Sequence, residues 1–252
     1  MQYRSTDWRV ARRVRYNFVS MIASQKKCNL CGKTGFRIVC HHPQGSLGQC
    51  VNCGLIFSPQ QLPDKEHLKQ YGASYYQQKD EDSPGLDYFA YEQCWLEGSR
   101  KKLAAIGEAI GGGRLLDVGC GVGFFLKVAR EEGWDVMGVE VSKWAAEKAR
   151  EMYDLDVINS TFEAAHFEDG SFDVVTLWHV LEHCPSPTKT LEHCHEILRP
   201  GGLIALEVPN VESRAARRSL LRWEHTAPQE HLFYFGPRTL QKILVKTGFM
   251  NV

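Results

Sequence analysis

Asp117-Val118-Gly119-Cys120-Gly121-Val122-Gly123 is the stretch on which the fold turns. It completes Arg114-Leu115-Leu116-Asp117-Val118, an apolar run that reads as a short buried strand. It precedes Phe124 to Glu132, where Phe125, Val128 and Ala129 fall on one side of a helix. Three glycines at such a junction let the backbone turn sharply and approach a ligand closely, at the positive end of the helix. That geometry suits a nucleotide-like ligand at the carboxyl edge of a parallel sheet. The spacing is G-x-G-x-G, not the G-x-G-x-x-G of dinucleotide-binding turns, and Asp117 stands two residues before the first glycine.

Such a loop is weak evidence alone, because many matches are ordinary strand-to-helix turns. Its sequel strengthens it. Asp135 to Glu140 reads as a second strand ending in a carboxylate, 21 positions after Gly119. An acid at that place accepts two hydrogen bonds from a ribose diol. Ser142 then caps a helix through Trp144, Ala145, Lys148 and Ala149. Asp156 to Asn159 reads as a third strand and Phe172 to Trp178 as a fourth. Leu198-Arg199-Pro200-Gly201-Gly202-Leu203 leads into a fifth, Ile204 to Val208.

In order and spacing these segments, with His179-Val180-Leu181-Glu182-His183 after the fourth strand, resemble the class I S-adenosylmethionine-dependent methyltransferases over roughly residues 100 to 252. The resemblance implies an α/β, Rossmann-like doubly wound sheet. It implies S-adenosylmethionine, or its product S-adenosylhomocysteine, against Asp117, Gly119, Cys120, Gly121, Gly123, Glu140 and Val141. It places adenine at Thr161 and Phe162, where Thr161 offers a hydroxyl in place of the Asp of many relatives. Trp178 and His179, at the fourth-strand end, would face the reacting sulfonium.

The carboxyl end departs from that pattern. Gly236-Pro237 opens a helix ending at Gly248, and Phe249-Met250-Asn251-Val252 reads as the start of a sixth strand. The antiparallel seventh strand of the family is missing, so the carboxyl-terminal strands are expected to be incomplete, leaving a sheet edge to be covered otherwise.

With 252 residues, 43% of them hydrophobic, the chain suffices for one α/β domain and a small appendage. No apolar run approaches a membrane span and no signal-peptide pattern opens the sequence. Nine cysteines without such a signal point to reduced thiols in a cytoplasmic setting. Net charge is zero but uneven: residues 1–27 carry seven basic residues against Asp7, and the remainder holds 23 basic and 29 acidic residues. Nucleic-acid enzymes need a broad positive face, so the acidic remainder argues against nucleic acid as partner and for a small-molecule acceptor.

Trp8, Ala11, Val14, Phe18 and Ile22 fall at helical spacing, making residues 1–27 a basic amphipathic arm. Docking on its own domain or a second subunit is the favoured reading; peripheral membrane contact and a transit peptide are the alternatives. Residues 28–60 form a second unit. Cys28-x-x-Cys31-Gly32 and Cys50-x-x-Cys53-Gly54, with eighteen residues between Cys31 and Cys50, match a closed tetrahedral zinc site of four thiolates, hence structural rather than catalytic. Cys40, His41 and His42 lie between the knuckles as substitute ligands. This zinc-ribbon-like segment before the core resembles a bacterial subgroup related to sugar and natural-product methyltransferases.

Residues 61–113 read as a helical, tyrosine-rich cover, and 114–252 as the cofactor-binding domain. Tyr75 and Tyr76 are expected to face the site, Phe89 and Trp95 to be helix-packing aromatics. Methyl transfer from a sulfonium needs alignment and, for a hydroxyl acceptor, a base. His231, in the segment after the fifth strand, is the first candidate base, followed by His179 and Tyr76. His179 to His183 also spells H-x-x-E-H, but a zinc-protease reading requires one continuous helix, which Pro185 and Pro187 argue against. Alternative functions are a nucleic-acid methyltransferase gripping its substrate with the ribbon, and a non-enzymatic scaffold.

Overall fold

The computed structural model describes residues 21–22, 27–60, 66, 68–77 and 88–252. Met21–Ile22 (β1) pairs antiparallel with Phe36–His42 (β2), so Ile22 lies in a strand and not in the expected amphipathic helix. Trp8, Ala11, Val14 and Phe18 of the arm lie outside the described residues. β2 pairs with Gly45–Cys50 (β3), and β3 with Ile56–Phe57 (β4). Gly48 is required where it stands: a Cβ there would meet the Phe36 ring at 2.6 Å.

After the short helix Ala73–Tyr76 (α1) comes Glu92–Ala109 (α2), which buries Leu96, Leu103 and Ile106 on one face. The core then alternates: Arg114–Val118 (β5), Phe124–Glu131 (α3), Asp135–Glu140 (β6), Lys143–Tyr153 (α4), Val157–Asn159 (β7) and Phe172–Trp178 (β8). Pro187–Ile197 (α5) and Leu198–Glu207 (β9) follow. The strands form one parallel sheet in the order β7-β6-β5-β8-β9. This is the expected Rossmann-like α/β sheet.

Strand alternation divides the core into two layers. Leu115 and Val174 face α2, α3 and α4, while Leu116, Val118, Val175 and Leu177 face α5 and the cysteine module. Leu115 and Leu116 are both fully buried, so each contributes about 1.5–3 kcal/mol of apolar burial to opposite sides of one strand.

Beyond β9 lie Arg214–Arg218 (α6), Phe233–Tyr234 (β10) and Pro237–Lys246 (α7). β10 does not join the parallel sheet. It pairs antiparallel with β4, giving a second sheet ordered β1-β2-β3-β4-β10. Residues 28–60 thus share a sheet with residues from the 114–252 segment. The expected sixth strand is absent: Phe249 to Val252 form none, and Phe249 instead packs edge-on against His195. No helix among the described residues is long and apolar enough to cross a membrane.

Candidate active site

The glycine loop owes its shape to three positive-φ residues, Gly119, Gly121 and Gly123, at φ 70°, 55° and 89°. A Cβ on Gly119 would approach Val180 to 2.6 Å, so the loop passes directly beneath the segment after β8. Gly123 plays a different part. It lies outside the cavity wall, and a Cβ there would strike Leu155 at 2.5 Å and Ala149 at 3.1 Å, so its role is close packing of α3 on α4.

Glu140 is 3% exposed at the end of β6. Its carboxylate accepts from the Gly121 amide at 2.8 Å and the Ser142 amide at 2.7 Å, with the Tyr76 hydroxyl donating at 3.4 Å. Burial raises its pKa against those amide donors. Asp117 is likewise buried and pushed up to about 7 by burial, although Thr176 Oγ1 donates to it at 2.6 Å. These groups line one end of a cavity of about 700 Å³, a size ordinary for small-molecule sites. Cys120, Val141, Thr161, Phe162 and Trp178 line it too. Phe162 stacks on His193 at 4.4 Å, so one face of its ring is already covered.

The cover closes this end with aromatic rings. Tyr76 stacks on Trp144 at 5.7 Å and meets Tyr75 and Tyr88 edge-on at 5.1 Å each. Its hydroxyl is directed at Glu140. Trp95, expected only to pack helices, lines the cavity and stacks on Tyr88 at 5.3 Å. Lys102 was not singled out from sequence: its ammonium lies 4.4 Å from the Trp178 ring centre and 2.7 Å from Glu207.

The same cavity is also lined by a histidine cluster. β8 ends where His179 adopts φ 56°, and residues 181–183 form a turn. His179 and His183 therefore do not share a helix, and the H-x-x-E-H spelling has no protease geometry. His179 lies between Glu182 at 3.3 Å and Glu207 at 3.4 Å. The Glu182 hydrogen bond raises its pKa, favouring the imidazolium, which is a poor base. His231 is the converse. Burial lowers its pKa, keeping it neutral, and its Nδ1 lies 2.8 Å from the His225 carbonyl. Donation to that carbonyl fixes the Nδ1–H tautomer and leaves Nε2 as the basic nitrogen.

Glu182 and His183 were not given roles from sequence beyond that motif. Ligand-type atoms of Glu182, His183 and His231 lie within 4.8 Å of one another. Glu182 is 1% exposed, and the His179 hydrogen bond and neighbouring His183 outweigh burial to lower its pKa; its Oε2 has no hydrogen-bond partner among the described residues. A buried carboxylate so placed stabilises positive charge arriving on a neighbouring imidazole.

In the cysteine module, the Sγ atoms of Cys28, Cys31, Cys50 and Cys53 lie within 4.8 Å of one another, with Cys28–Cys53 at 3.5 Å and Cys31–Cys50 at 3.6 Å. A tetrahedron with bonds of about 2.3 Å has edges of about 3.8 Å, so four thiolates converge as a metal would require. Burial pushes Cys28 up to about 11. Burial opposes ionisation of Cys50 as well, but amide donors from Cys53 and Asn52 outweigh it and bring it to about 7. Cys40 packs in a separate cluster with Leu47 and Trp223, and His41 bonds Ser46, so neither belongs to this set.

The chain matches the family described as "Methyltransferase domain" over residues 89–252. It belongs to the class I S-adenosylmethionine-dependent methyltransferases. Among its curated relatives, a ubiquinone biosynthesis O-methyltransferase of Psychrobacter arcticus is 26% identical over 169 residues, 62% of this chain and 65% of that protein. The enzyme of the same name from Pectobacterium atrosepticum is 31% identical, over 47% of this chain and 52% of its own length. The chain thus spans between 52% and 65% of the length of these relatives. A solved S-adenosylmethionine-dependent methyltransferase from Archaeoglobus fulgidus is 27% identical, with a TM-score of 0.53, covering 65% of this chain and 75% of that one. One from Thermotoga maritima, described as a possible histamine N-methyltransferase, shares the fold at a TM-score of 0.54 and 23% identity, covering 66% of this chain and 77% of that one.

Proposed function

We propose that the protein transfers the methyl group of S-adenosylmethionine to a hydroxyl oxygen of a small metabolite, such as a sugar, a polysaccharide precursor or a natural product. The observation that carries this reading is one cavity lined both by Glu140, a buried carboxylate at the end of β6, and by a carbonyl-anchored His231. The O-methyltransferase names of the curated relatives support oxygen as the target. The cofactor supplies an activated methyl group, so the chain has to align, exclude water and move one proton.

In this reading Asp117, the glycine loop and Glu140 hold the donor, and Tyr76, Tyr88 and Trp95 close over it. The acceptor lies between Tyr71, Tyr75 and the histidines. Nε2 of His231 takes the hydroxyl proton, and Glu182 stabilises the resulting imidazolium. Mass spectrometry with a methyl-labelled donor and a panel of hydroxylated metabolites tests this: label should appear on oxygen. Label found on nucleic acid or protein, and on none of the small acceptors, would overturn the substrate class.

The same proposal assigns one structural Zn²⁺ to Cys28, Cys31, Cys50 and Cys53, which leaves no coordination position open for catalysis. Elemental analysis should find about one zinc per chain, and Cys50→Ser should lose it and lower the melting temperature. Full zinc content in all four single Cys→Ser variants would remove the site.

A further inference from the structure

Asn29 sits inside the first cysteine knuckle, between Cys28 and Cys31, yet its side chain serves a helix more than 150 positions away. Helix α5 begins with Ser186 as N-cap, and Ser186 makes no side-chain cap of its own. Asn29 does it instead. Its Oδ1 accepts from the Thr188 amide at 2.9 Å and the Thr188 hydroxyl at 2.7 Å, and its Nδ2 donates to Ser186 Oγ at 3.0 Å. Its backbone carbonyl accepts from Thr188 Oγ1 at 2.8 Å and from the Lys246 ammonium at 3.2 Å. The first-turn amides of a helix have no partner within it, so this is capping by a residue of another module.

The capped segment is a wall of the cavity. His183, Cys184, Pro185 and Ser186 all line it. The second knuckle holds the other wall: just after Cys53-Gly54-Leu55, β4 pairs with β10, and the Ser58 amide donates to the Leu232 carbonyl at 2.9 Å, next to His231. The Leu232 and Phe233 amides in turn donate to the Glu182 carbonyl at 2.8 and 3.1 Å, tying the walls together. The glycine loop and Glu140 have no such tie to the cysteine module among the hydrogen bonds of the described residues.

We infer that the cysteine module is a positioning element of the acceptor half of the site, with Asn29 as the positioning residue that links the four-thiolate centre to α5. The inference rests on the methyl-transfer reading for what the walls are for, and on the hydrogen bonds alone for the coupling. Asn29 touches no reacting atom; it acts through Thr188 and Ser186. Removing the metal, or the Asn29 side chain, loosens residues 183–191 and 231–234 and leaves the donor half in place.

Hydrogen–deuterium exchange read by mass spectrometry, with S-adenosylhomocysteine titrated in parallel, tests this on the full chain. In Asn29→Ala, peptides across 183–191 should exchange roughly 5-fold faster or more, the size of losing a helix cap, with zinc content unchanged. Peptides across 114–123 and 135–142 should exchange as before, and affinity for S-adenosylhomocysteine should stay within about two-fold. Asn29→Asp keeps the Oδ1 acceptor and should restore slow exchange, whereas Asn29→Leu, of similar bulk without an acceptor, should exchange as fast as Asn29→Ala; rescue by Leu would show a merely volumetric role. Chelation should reproduce the Asn29→Ala pattern in both walls. Unchanged exchange at 183–191 in Asn29→Ala, equal loosening of the donor-half peptides, or an as-purified protein without zinc would each overturn the coupling. Failure of the wild-type protein to bind S-adenosylhomocysteine would instead sink the methyltransferase reading, since the exchange pattern is measured without any cofactor.

Discussion

His231→Ala should lower turnover with a verified hydroxyl acceptor by about 10²–10⁴-fold while leaving affinity for S-adenosylhomocysteine nearly intact. The asymmetry follows from partners: His231 clusters with Glu182 and His183, whereas Glu140 braces the Gly121 and Ser142 amides. Its pH dependence has a definite sign. Burial lowers its pKa from the ordinary 6.5, and only the neutral ring is a base. Activity should therefore hold at pH 6.5 and fall only on further acidification. Acid should also destabilise the fold over the same range, because the unfolded chain binds a proton that folded His231 refuses. Glu182→Gln should reduce turnover in the same direction by removing the negative charge beside the imidazolium. Near-full turnover in His231→Ala, measured by S-adenosylhomocysteine release, would place the base elsewhere.

Glu140→Ala should abolish measurable cofactor binding or weaken it by about 100-fold or more. Hydrogen bonds to a charged acceptor are each worth about 1.5–3 kcal/mol, and a diol would contribute two. The carboxylate also braces the Gly121 and Ser142 amides, so its removal leaves two donors without their partner as well as the ligand. Glu140→Gln keeps one carbonyl oxygen and nearly the same volume, and should lie between wild type and Ala. Calorimetry gives the affinities, and thermal melting separates lost binding from lost fold. Retention of wild-type affinity in Glu140→Ala would show that the diol is held by other groups.

The glycine-loop side of the candidate site was legible because it is local. A strand, a glycine loop and an acid 21 positions on are fixed by backbone geometry and chain spacing alone, and Asp117, Gly119, Gly121 and Glu140 lie together where that spacing implies. Gly123 showed the limit of the rule: it shares the pattern, but its conformation serves the packing of α3 against Leu155 and Ala149. The histidine cluster depends on contacts distant in sequence. Glu182 and His183 acquire meaning only because the chain reverses at His179 and the loop bearing His231 folds back onto it. Trp95 looked like a packing residue, since a helix heptad does not reveal that its open face borders a cavity. Asn29 carried no signal, because its partners Ser186 and Thr188 come near it only once the cysteine module docks on α5. The cysteine set itself was plain from two C-x-x-C-G knuckles, whose four sulfurs converge in space. The arm was read as a helix as far as Ile22, where strand pairing with β2 prevails over the helical periodicity.

Calorimetric titration of the wild-type protein with S-adenosylhomocysteine, S-adenosylmethionine and NAD tests the central claim most directly. The cavity walled by Glu140, the glycine loop and the tyrosine cover predicts one site per chain for the first two ligands, mutually competitive, and no heat from NAD. Saturable NAD binding with no response to either methyl-donor ligand would contradict the account.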